Sequence, residues 1–304
     1  MITYTKINNL GFLRLISRIF PLKHKLHFLI KKYLVSDTNL AVNYYKHWYL
    51  CTNVTEMNRS TVEQVILDGI YSQPEVALIK QLRATLPDNM VLIDVGGNIG
   101  TFFCQFEDKC DMIFIFEPIP RLNNVIRNSI EYNNKSKKIK LITKAVGDKP
   151  ATVKMLDNNN SSIVNSDNRE GLLEIEVTTL DIECADLNKV DFLKIDVEGY
   201  ELSVLNGARK LIEKNRPYVL VEVHPGYLAG YGQHHADVIS FFESYNYRIK
   251  YYSFLEELRM PRWRRLFSRW AGNKGVMFAG KDEFMKDINK EPFLGVYHIY
   301  CEPA

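Results

Sequence analysis

Apolar runs, each followed by glycine or polar residues, recur along the middle of the chain. Unbroken Val, Ile and Leu positions are typical of parallel strands that are buried on both faces. A strand exposed on one face is predicted at 174–177, where apolar and charged residues alternate. The apolar runs predict buried strands that begin at 91, 112, 139, 190 and 218, with the second extending to 118, the third to 143 and the fifth to 225.

Helical patterns separate these predicted strands. One helix is predicted over 120–134, with a proline in its first turn, and another over 200–215. Residues 247–252 and 275–279 are expected to form an antiparallel pair that closes the sheet. Strands that alternate with helices in this way indicate an α/β fold, with a mostly parallel sheet covered by helices on both faces.

The residues after the first apolar run form the most informative motif. Asp94 is followed by Gly96, Gly97, Asn98 and Gly100. Glycines at this point let the backbone turn sharply and approach a ligand where a Cβ atom would clash. Their spacing does not fit the G-x-G-x-x-G fingerprint of dinucleotide-binding proteins. The D-x-G-x-N-x-G arrangement instead resembles the first motif of Rossmann-like S-adenosylmethionine-dependent methyltransferases.

Acidic residues also stand at the ends of other predicted strands. Glu117 stands near the end of the second run, at a position where a carboxylate can accept hydrogen bonds from both hydroxyls of a nucleoside ribose. Asp196, Glu198 and Glu201 follow the run at 190–195. Ligands of open α/β sheets bind outside the carboxyl ends of the strands, so these acids are candidate site residues.

Six ordered motifs make the chain similar to the FkbM-type methyltransferase family. The resemblance covers about residues 75 to 280 and implies a Rossmann-like class I fold with a seven-stranded, mostly parallel sheet. It also implies S-adenosylmethionine as cofactor and O-methylation, commonly of a sugar hydroxyl in a glycan, glycolipid or secondary metabolite. The family usually has alanine in place of Gly97, a difference of one methyl group. The motifs are DVGGNIG at 94–100, FEPIP at 116–120, AVGD at 145–148, TTLD at 178–181, KIDVEGYE at 194–201 and VEVHP at 221–225.

The resemblance and the strand-end positions together assign cofactor-binding residues. Glu117 is expected at the ribose, and Asp148 of the AVGD motif is expected near the adenine. The residues expected around the methionine moiety are Asp94, Gly96, Asn98 and Gly100.

The candidate catalytic residues are Asp196, Glu198, Glu201 and His224. Carboxylates that lie close together raise one another's pKa, so one of them can serve as the base for the acceptor hydroxyl, with Asp196 as first choice. In the alternative, Asp196 and Glu201 only cap the next helix and complement its N-terminus. His224 stands two residues after Glu222 on one side of the fifth buried strand, and it could bind the acceptor or act as the base.

A metal site is the other chemistry that these residue types allow. Asp196, Glu222 and His224 offer carboxylate and imidazole ligands that Mg²⁺ or Mn²⁺ accept. Their spacing in sequence is not diagnostic, so no metal site is assigned. The five cysteines are scattered without C-x-x-C spacing, which suits a reducing compartment and adds no metal ligands.

Charge is unevenly distributed, although the net charge of the 304-residue chain is only +3. Residues 1–35 contain Lys and Arg among apolar residues, and no acid precedes Asp37. The chain is divided into a basic helical segment at 1–72, a methyltransferase domain at 73–280 and a C-terminal tail at 281–304. The basic segment is too charged to span a membrane and lacks a signal peptide, so a cytoplasmic protein is expected.

Two explanations are open for residues 1–35. They could form short helices that pack an apolar stripe on the catalytic domain and expose their cations to water. They could instead make a peripheral contact with an anionic membrane leaflet. A lipid-linked glycan acceptor would make the membrane contact sensible.

Two other functions also remain open on the sequence alone. One is a catalytically inactive scaffold that binds S-adenosylmethionine. The other is a nucleic-acid methyltransferase, suggested by the basic and aromatic insertion at 262–270, although the low net charge argues against it. Neither the acceptor nor the oligomeric state follows from any sequence feature. The aromatic residues that could form a platform for a sugar ring are Tyr227, Tyr231, Trp263 and Trp270.

Overall fold

The structure is a computed structural model. It describes residues 3–7, 39–46, 48–53, 73–156, 172–253, 276–290, 292 and 297–304. Residues 157–171, whose polar and Gly-containing sequence predicts a loop, lie outside the described residues, as do the basic insertion at 262–270 and most of the segment 1–35.

A large mixed sheet is the centre of the fold. Five neighbouring strands run parallel, in the order β11, β10, β4, β5 and β6 within the described chain. Every residue of the central strands β4 and β10 is buried, as the apolar runs predicted, whereas three of the four residues of the edge strand β6 are at least partly exposed. These strands are β4 (Met90–Val95), β5 (Cys110–Phe116), β6 (Ile139–Ile142), β10 (Phe192–Ile195) and β11 (Tyr218–Val223).

The sheet is completed by antiparallel strands on the β11 side. β12 (Tyr247–Ser253) pairs with β13 (Val276–Phe278), which confirms the predicted closing pair. A further strand, β14 (Tyr297–Pro303), lies between β12 and β11. The described sheet therefore has eight strands rather than the seven expected.

The expected C-terminal tail at 281–304 is corrected by β14 and by helix α8 (Lys281–Ile288). Tyr297 and Ile299 are fully buried, and α8 buries Phe284 and Ile288 in the same core. The sequence reasoning missed the strand because its pairing partners lie far away along the chain, whereas hydrophobic periodicity reports local structure.

Helices cover both faces of the sheet. On one face, Leu92 and Phe192 belong to a core shared with α1 and α2. On the other face, Ile93 and Leu193 belong to a core shared with α3, α4, α5, α7 and α8. This alternation of neighbouring residues between two cores follows from the two-residue period of a strand. The helices are α1 (Gln73–Thr85), α2 (Pro120–Tyr132), α3 (Leu180–Glu183), α4 (Glu201–Asn206), α5 (Arg209–Asn215), α6 (Pro225–Gly230) and α7 (His235–Ser244), with 3₁₀ turns at Phe103–Gln105 and Glu107–Lys109.

Two small sheets flank the large one. β7 (Ala145–Val146) and β8 (Ala151–Leu156) both pair with β9 (Leu172–Thr178), which contains the strand predicted at 174–177. The second small sheet joins β1 (Thr5–Ile7), β2 (Asn39–Tyr45) and β3 (Trp48–Asn53).

Of the expected helical segment at 1–72, the structure describes residues 3–7, 39–46 and 48–53, and for these the second small sheet corrects the helical expectation. Its hairpin is rich in Val, Tyr, Trp and Thr, which favour strands over helices. Strand β3 is attached to helix α2, because the Cys51 N–H donates to Ser129 Oγ at 2.8 Å and the Tyr49 N–H donates to Asn133 Oδ1 at 3.0 Å. Within the described ranges, none of the helices is long and apolar enough to cross a membrane.

Candidate active site

The loop after β4 turns sharply against two neighbouring strands. Gly96 and Gly100 adopt positive φ angles of 82° and 87°, and Asn98 adopts 50°. The Gly96 N–H donates to the Phe116 carbonyl oxygen at 2.9 Å. A Cβ atom on Gly96 would lie 1.8 Å from the Asp196 carbonyl oxygen. The tight turn inferred from these glycines therefore brings the exits of β4 and β10 into contact.

Gly97 has a different reason to lack a side chain. A Cβ atom there would lie 2.3 Å from Ile115 Cγ2 on the neighbouring strand, which is too close without a shift. In this chain, the Ile115 side chain occupies the space that an alanine methyl group at position 97 would need.

Glu117 lies at the end of β5 and is held by the backbone around it. Its Oε2 accepts a hydrogen bond from the Asn98 N–H at 2.8 Å, and its Oε1 accepts one from the Ile119 N–H at 2.9 Å. Burial raises the pKa of Glu117 to about 7, against the lowering effect of those two bonds. Each oxygen keeps a lone pair that can accept a further hydrogen bond from a ribose hydroxyl.

A cleft with an empty volume of about 810 Å³ opens beside this loop. Ile119, Leu122, Val146 and Met155 give it an apolar part, and Glu117 lines it together with the loop residues Gly96 and Asn98. The cleft therefore fits a nucleoside, with a slot for an aromatic base and a carboxylate for the ribose. Its other lining residues are Val95, Phe116, Pro118, Lys144, Ala145, Asp196, Val197, Glu198, Tyr200 and Tyr231.

Asp148 does not reach this cleft. Its side chain is exposed, whereas Ala145 and Val146 of the same AVGD motif line the cavity. The motif therefore contributes apolar surface to the cleft rather than the predicted carboxylate.

Asp94 lies beneath the loop rather than in the cleft. It is fully buried, and its hydrogen-bonding neighbours among the described residues are the Phe103 backbone and the Lys194 ammonium. Burial raises its pKa to about 6, although the cation of Lys194 at 3.6 Å opposes this rise. Gly100 is also absent from the cleft lining. Neither Asp94 nor Gly100 therefore lines the cleft, and both belong to the segment that supports its wall.

Lys194 was not among the predicted site residues. It lies on β10 directly opposite Asp94, and its ammonium donates to Asp196 Oδ2 at 3.0 Å and to the Gly96 carbonyl oxygen at 3.2 Å. Burial lowers its pKa, but the charges of Asp196 and Asp94 outweigh this and raise it above the ordinary value. A lysine inside an otherwise apolar buried strand was the sequence signal that could have identified it.

The exits of β10 and β11 bring the predicted catalytic residues together around one imidazole. His224 Nδ1 lies 2.7 Å from Glu201 Oε1. Its Nε2 lies 3.6 Å from Glu198 Oε2 and 3.8 Å from Asp196 Oδ1. Burial lowers the pKa of His224, but Glu201 and Glu222 raise it well above its ordinary value. This shift favours the imidazolium form, and only the neutral form has a lone pair that could accept a proton or bind a metal.

Glu201 is the structural member of this group. It is fully buried, and its Oε1 also accepts the Gly199 N–H at 2.9 Å. It thus closes the turn between β10 and α4 and orients His224. These two contacts give Glu201 a larger role than the helix capping that the alternative assigned to it.

Glu198 is accessible from the cleft, and its pKa is shifted. It adopts a positive φ of 53° and lines the cleft. Burial raises its pKa to about 7, with His224 opposing the rise and Asp196 and Glu222 adding to it. A carboxylate that titrates near neutral pH is suited to general-base chemistry.

Glu222 and His298 extend the charged group across the sheet. Glu222 Oε1 lies 3.5 Å from His224 Nε2, and its Oε2 lies 3.5 Å from His298 Nε2 on the paired strand β14. Burial raises the pKa of Glu222, but His298 and His224 outweigh it and hold that pKa well below the ordinary value. The sequence reasoning missed His298 because it missed strand β14.

One ligand set within the described chain could hold a divalent cation. The side-chain atoms of Asp196, Glu198 and His224 that could bind a metal lie within 4.8 Å of one another.

Among the aromatic residues predicted as a platform for a sugar ring, Tyr231 contacts Tyr200 edge-to-face, with ring centroids 5.3 Å apart. Tyr227 is 40% exposed, and its ring centroid lies 6.0 Å from that of His224. Trp263 and Trp270 lie outside the described residues.

Comparison with known proteins gives a family match over this site. The family described as the methyltransferase FkbM domain matches residues 94–249, just over half of the chain. The hexuronic acid methyltransferase AglP of Haloferax volcanii is 30% identical over 156 residues, which is 50% of this chain and 63% of that protein. The matched region thus spans less than two thirds of the relative.

A solved structure carries the same family name. It is the methyltransferase FkbM from Methylobacillus flagellatus KT, with 16% identity and a TM-score of 0.48. The alignment covers 79% of this chain and 52% of that one.

Proposed function

The chain belongs to the FkbM methyltransferase family, and we propose that it transfers the methyl group of S-adenosylmethionine to a hydroxyl group of a sugar. One observation carries the proposal. Glu117, suited to a ribose, and Glu198, suited to a base, line the same cleft at the carboxyl edge of the sheet. A relative named as a hexuronic acid methyltransferase supports a sugar as the acceptor class.

The described residues fit the cofactor by shape and by chemistry. The Gly96 turn leaves no room for a side chain, the apolar slot suits an adenine, and Glu117 keeps acceptor capacity toward the ribose. We assign Gly96, Asn98 and Glu117 to direct contact, and Asp94 and Gly100 to shaping the loop. When bound, S-adenosylmethionine supplies an already electrophilic methyl group on a sulfonium.

The protein's contribution to transfer is therefore alignment and proton removal. Correct alignment of two reactants supplies ~7 to 11 kcal/mol, and a positioned base typically adds ~10² to 10⁴-fold. We assign the base to Glu198, which accepts the proton of the acceptor hydroxyl. Asp196 was the first choice from sequence, but one of its oxygens already accepts a hydrogen bond from Lys194. His224, held by Glu201, supplies positive charge beside the two carboxylates.

Two measurements test this function. Isothermal titration calorimetry of the full chain with S-adenosylmethionine and S-adenosylhomocysteine should show binding of both. A mass-spectrometric transfer assay over glycosides of hexuronic acids and of neutral sugars should then show the addition of one methyl group to at least one acceptor class. The absence of cofactor binding would overturn the proposal. Binding without transfer to any sugar would favour the scaffold, and transfer to RNA would favour the nucleic-acid enzyme.

A further inference from the structure

Lys194 occupies the point where the cofactor loop and the acceptor side of the cleft meet. We propose that Lys194 is a positioning residue, which sets the geometry between the loop after β4 and the acids after β10 by binding Gly96, Asp94 and Asp196 together. This inference deepens the proposed function and rests on it for the identity of the cofactor.

The N–H donors of the Lys194 ammonium match the oxygen acceptors that surround it. An ammonium group has three N–H donors and no acceptor. Among the described residues, its oxygen neighbours are the Gly96 carbonyl at 3.2 Å, Asp196 Oδ2 at 3.0 Å and Asp94 Oδ1 at 3.6 Å. The ring of Phe102, with its centroid 5.5 Å from Nζ, covers another side. The cation thus joins the end of β4, the loop after it and the exit of β10.

Lys194 and Asp94 are both buried, so each depends on the other for charge compensation. The Lys194 side chain is only 10% exposed and the Asp94 side chain is fully buried. A buried carboxylate without a compensating charge takes up a proton, because desolvation disfavours the charged form. Lys194 is the cation that opposes this for Asp94, so its removal would neutralise the acid beneath the loop.

The segments that follow β4 and β10 are in tight contact. The Gly96 turn lies directly on the Asp196 carbonyl, so a small shift of either segment displaces the other. Lys194 binds side-chain or backbone oxygens of both segments. Loss of this lysine is therefore expected to impair both cofactor affinity and methyl transfer, whereas a residue with only a structural role would lower thermal stability alone.

The test uses Lys194→Met, which keeps the length of the side chain and removes its charge, with Lys194→Arg as the conservative rescue. The matched control is Lys250→Met, because Lys250 pairs with Glu302 at 2.8 Å on a distant strand of the same sheet. The double variant Lys194→Met/Asp94→Asn removes both charges and tests the pairing if the single variant does not fold.

Two readouts separate this inference from the proposed function. Carboxyl ¹³C NMR with labelled aspartate follows the titration of Asp94 and requires no cofactor. We expect its midpoint to move upward by at least about one pH unit in Lys194→Met, and to stay near the wild-type value in Lys194→Arg. Calorimetry with S-adenosylhomocysteine should show an affinity loss of at least about tenfold in Lys194→Met, partial recovery in Lys194→Arg and no change in Lys250→Met.

The results that would overturn each idea differ. A folded Lys194→Met protein with an unmoved Asp94 midpoint and wild-type affinity would refute the positioning role. In the double variant, wild-type affinity would refute it equally. Failure of the wild-type protein to bind S-adenosylhomocysteine would instead refute the proposed cofactor, and the NMR midpoint would still decide whether Lys194 controls Asp94.

Discussion

The two ends of strand β10 each carry an aspartate of similar exposure but with different partners. Asp191, at the amino end, is 23% exposed, accepts the Val91 N–H at 2.7 Å and pairs with the exposed Lys189. Asp196, at the carboxyl end, is 27% exposed, binds the buried Lys194 and faces His224. Each charge at the amino end has a local partner, whereas the charges at the carboxyl end form one connected group.

This difference shows that neither acidity nor exposure marks the site. The loops that leave parallel strands converge at their carboxyl ends, so residues from distant segments meet there. The following predictions test whether function is confined to that end.

The largest effect is expected for Glu198→Gln. Removal of the base should lower the rate of methyl transfer by ~10² to 10⁴-fold. Binding of S-adenosylhomocysteine should be unchanged, because the amide keeps the shape of the side chain. The measurement is single-turnover transfer to the best sugar acceptor, with calorimetry as the control. A near-wild-type rate would assign the base to another residue, with Asp196→Asn as the next variant to examine.

Glu117→Gln should weaken cofactor binding. The amide nitrogen would have to face one of the two backbone N–H groups, from Asn98 or Ile119, that the carboxylate now accepts. Hydrogen bonds to charged groups contribute about 1.5 to 3 kcal/mol, so the affinity for S-adenosylhomocysteine should fall roughly 10- to 150-fold. Glu302→Gln, at the far side of the sheet, is the control and should bind normally. Equal affinities would mean that Glu117 does not contact the ribose.

The pH dependence of transfer at saturating S-adenosylmethionine should report Glu198, because saturation removes the contribution of Glu117, whose pKa is also raised to about 7 and which acts through cofactor binding. The pKa of Glu198 is raised to about 7, and only the ionised form accepts a proton. The rate should therefore fall as pH falls through about 7, approaching a tenfold loss per pH unit below it. His224 titrates well above this range and should add no inflection there. A rate that stays flat between about pH 5.5 and about pH 7.5 would contradict the assignment.

Gly97→Ala should destabilise the fold moderately. Its Cβ atom would lie 2.3 Å from Ile115 Cγ2, and overpacking of this kind costs about 1 to 3 kcal/mol. Urea denaturation measures the free energy of unfolding. Gly230→Ala is the matched control, since a Cβ atom there meets no atom within 4 Å in the described chain. Equal stabilities of the two variants would show that Ile115 moves freely.

The smallest effect is expected for Asp191→Asn at the amino end. The amide oxygen can still accept the Val91 N–H, and only a solvent-exposed ion pair with Lys189 is lost. Such pairs contribute about 0 to 1 kcal/mol to the free energy of unfolding. Neither the cofactor affinity nor the transfer rate should change. A drop in transfer comparable to that of Glu198→Gln would remove the distinction between the two ends.

Local patterns were sufficient for much of the fold. The buried strands at 91–95 and 218–223, the helix that begins at Pro120 and the glycine turn at 96–100 all appear where the sequence predicts them. Each depends on neighbours within a few residues, such as an unbroken apolar run or a proline in a first turn. Apolar residues and acids at the strand ends also indicated the edge at which ligands bind.

Long-range contacts decided the rest. Lys194 meets the Gly96 carbonyl 98 residues away along the chain, and His298 reaches Glu222 only because β14 lies beside β11. The sequence by itself determined the family, the α/β alternation and the acids at the strand exits, because local propensity and periodicity encode these. Only the tertiary structure decided which acids share a cation, which of them line the cleft and which lie beneath it, because pairing and burial depend on segments that meet across the sheet.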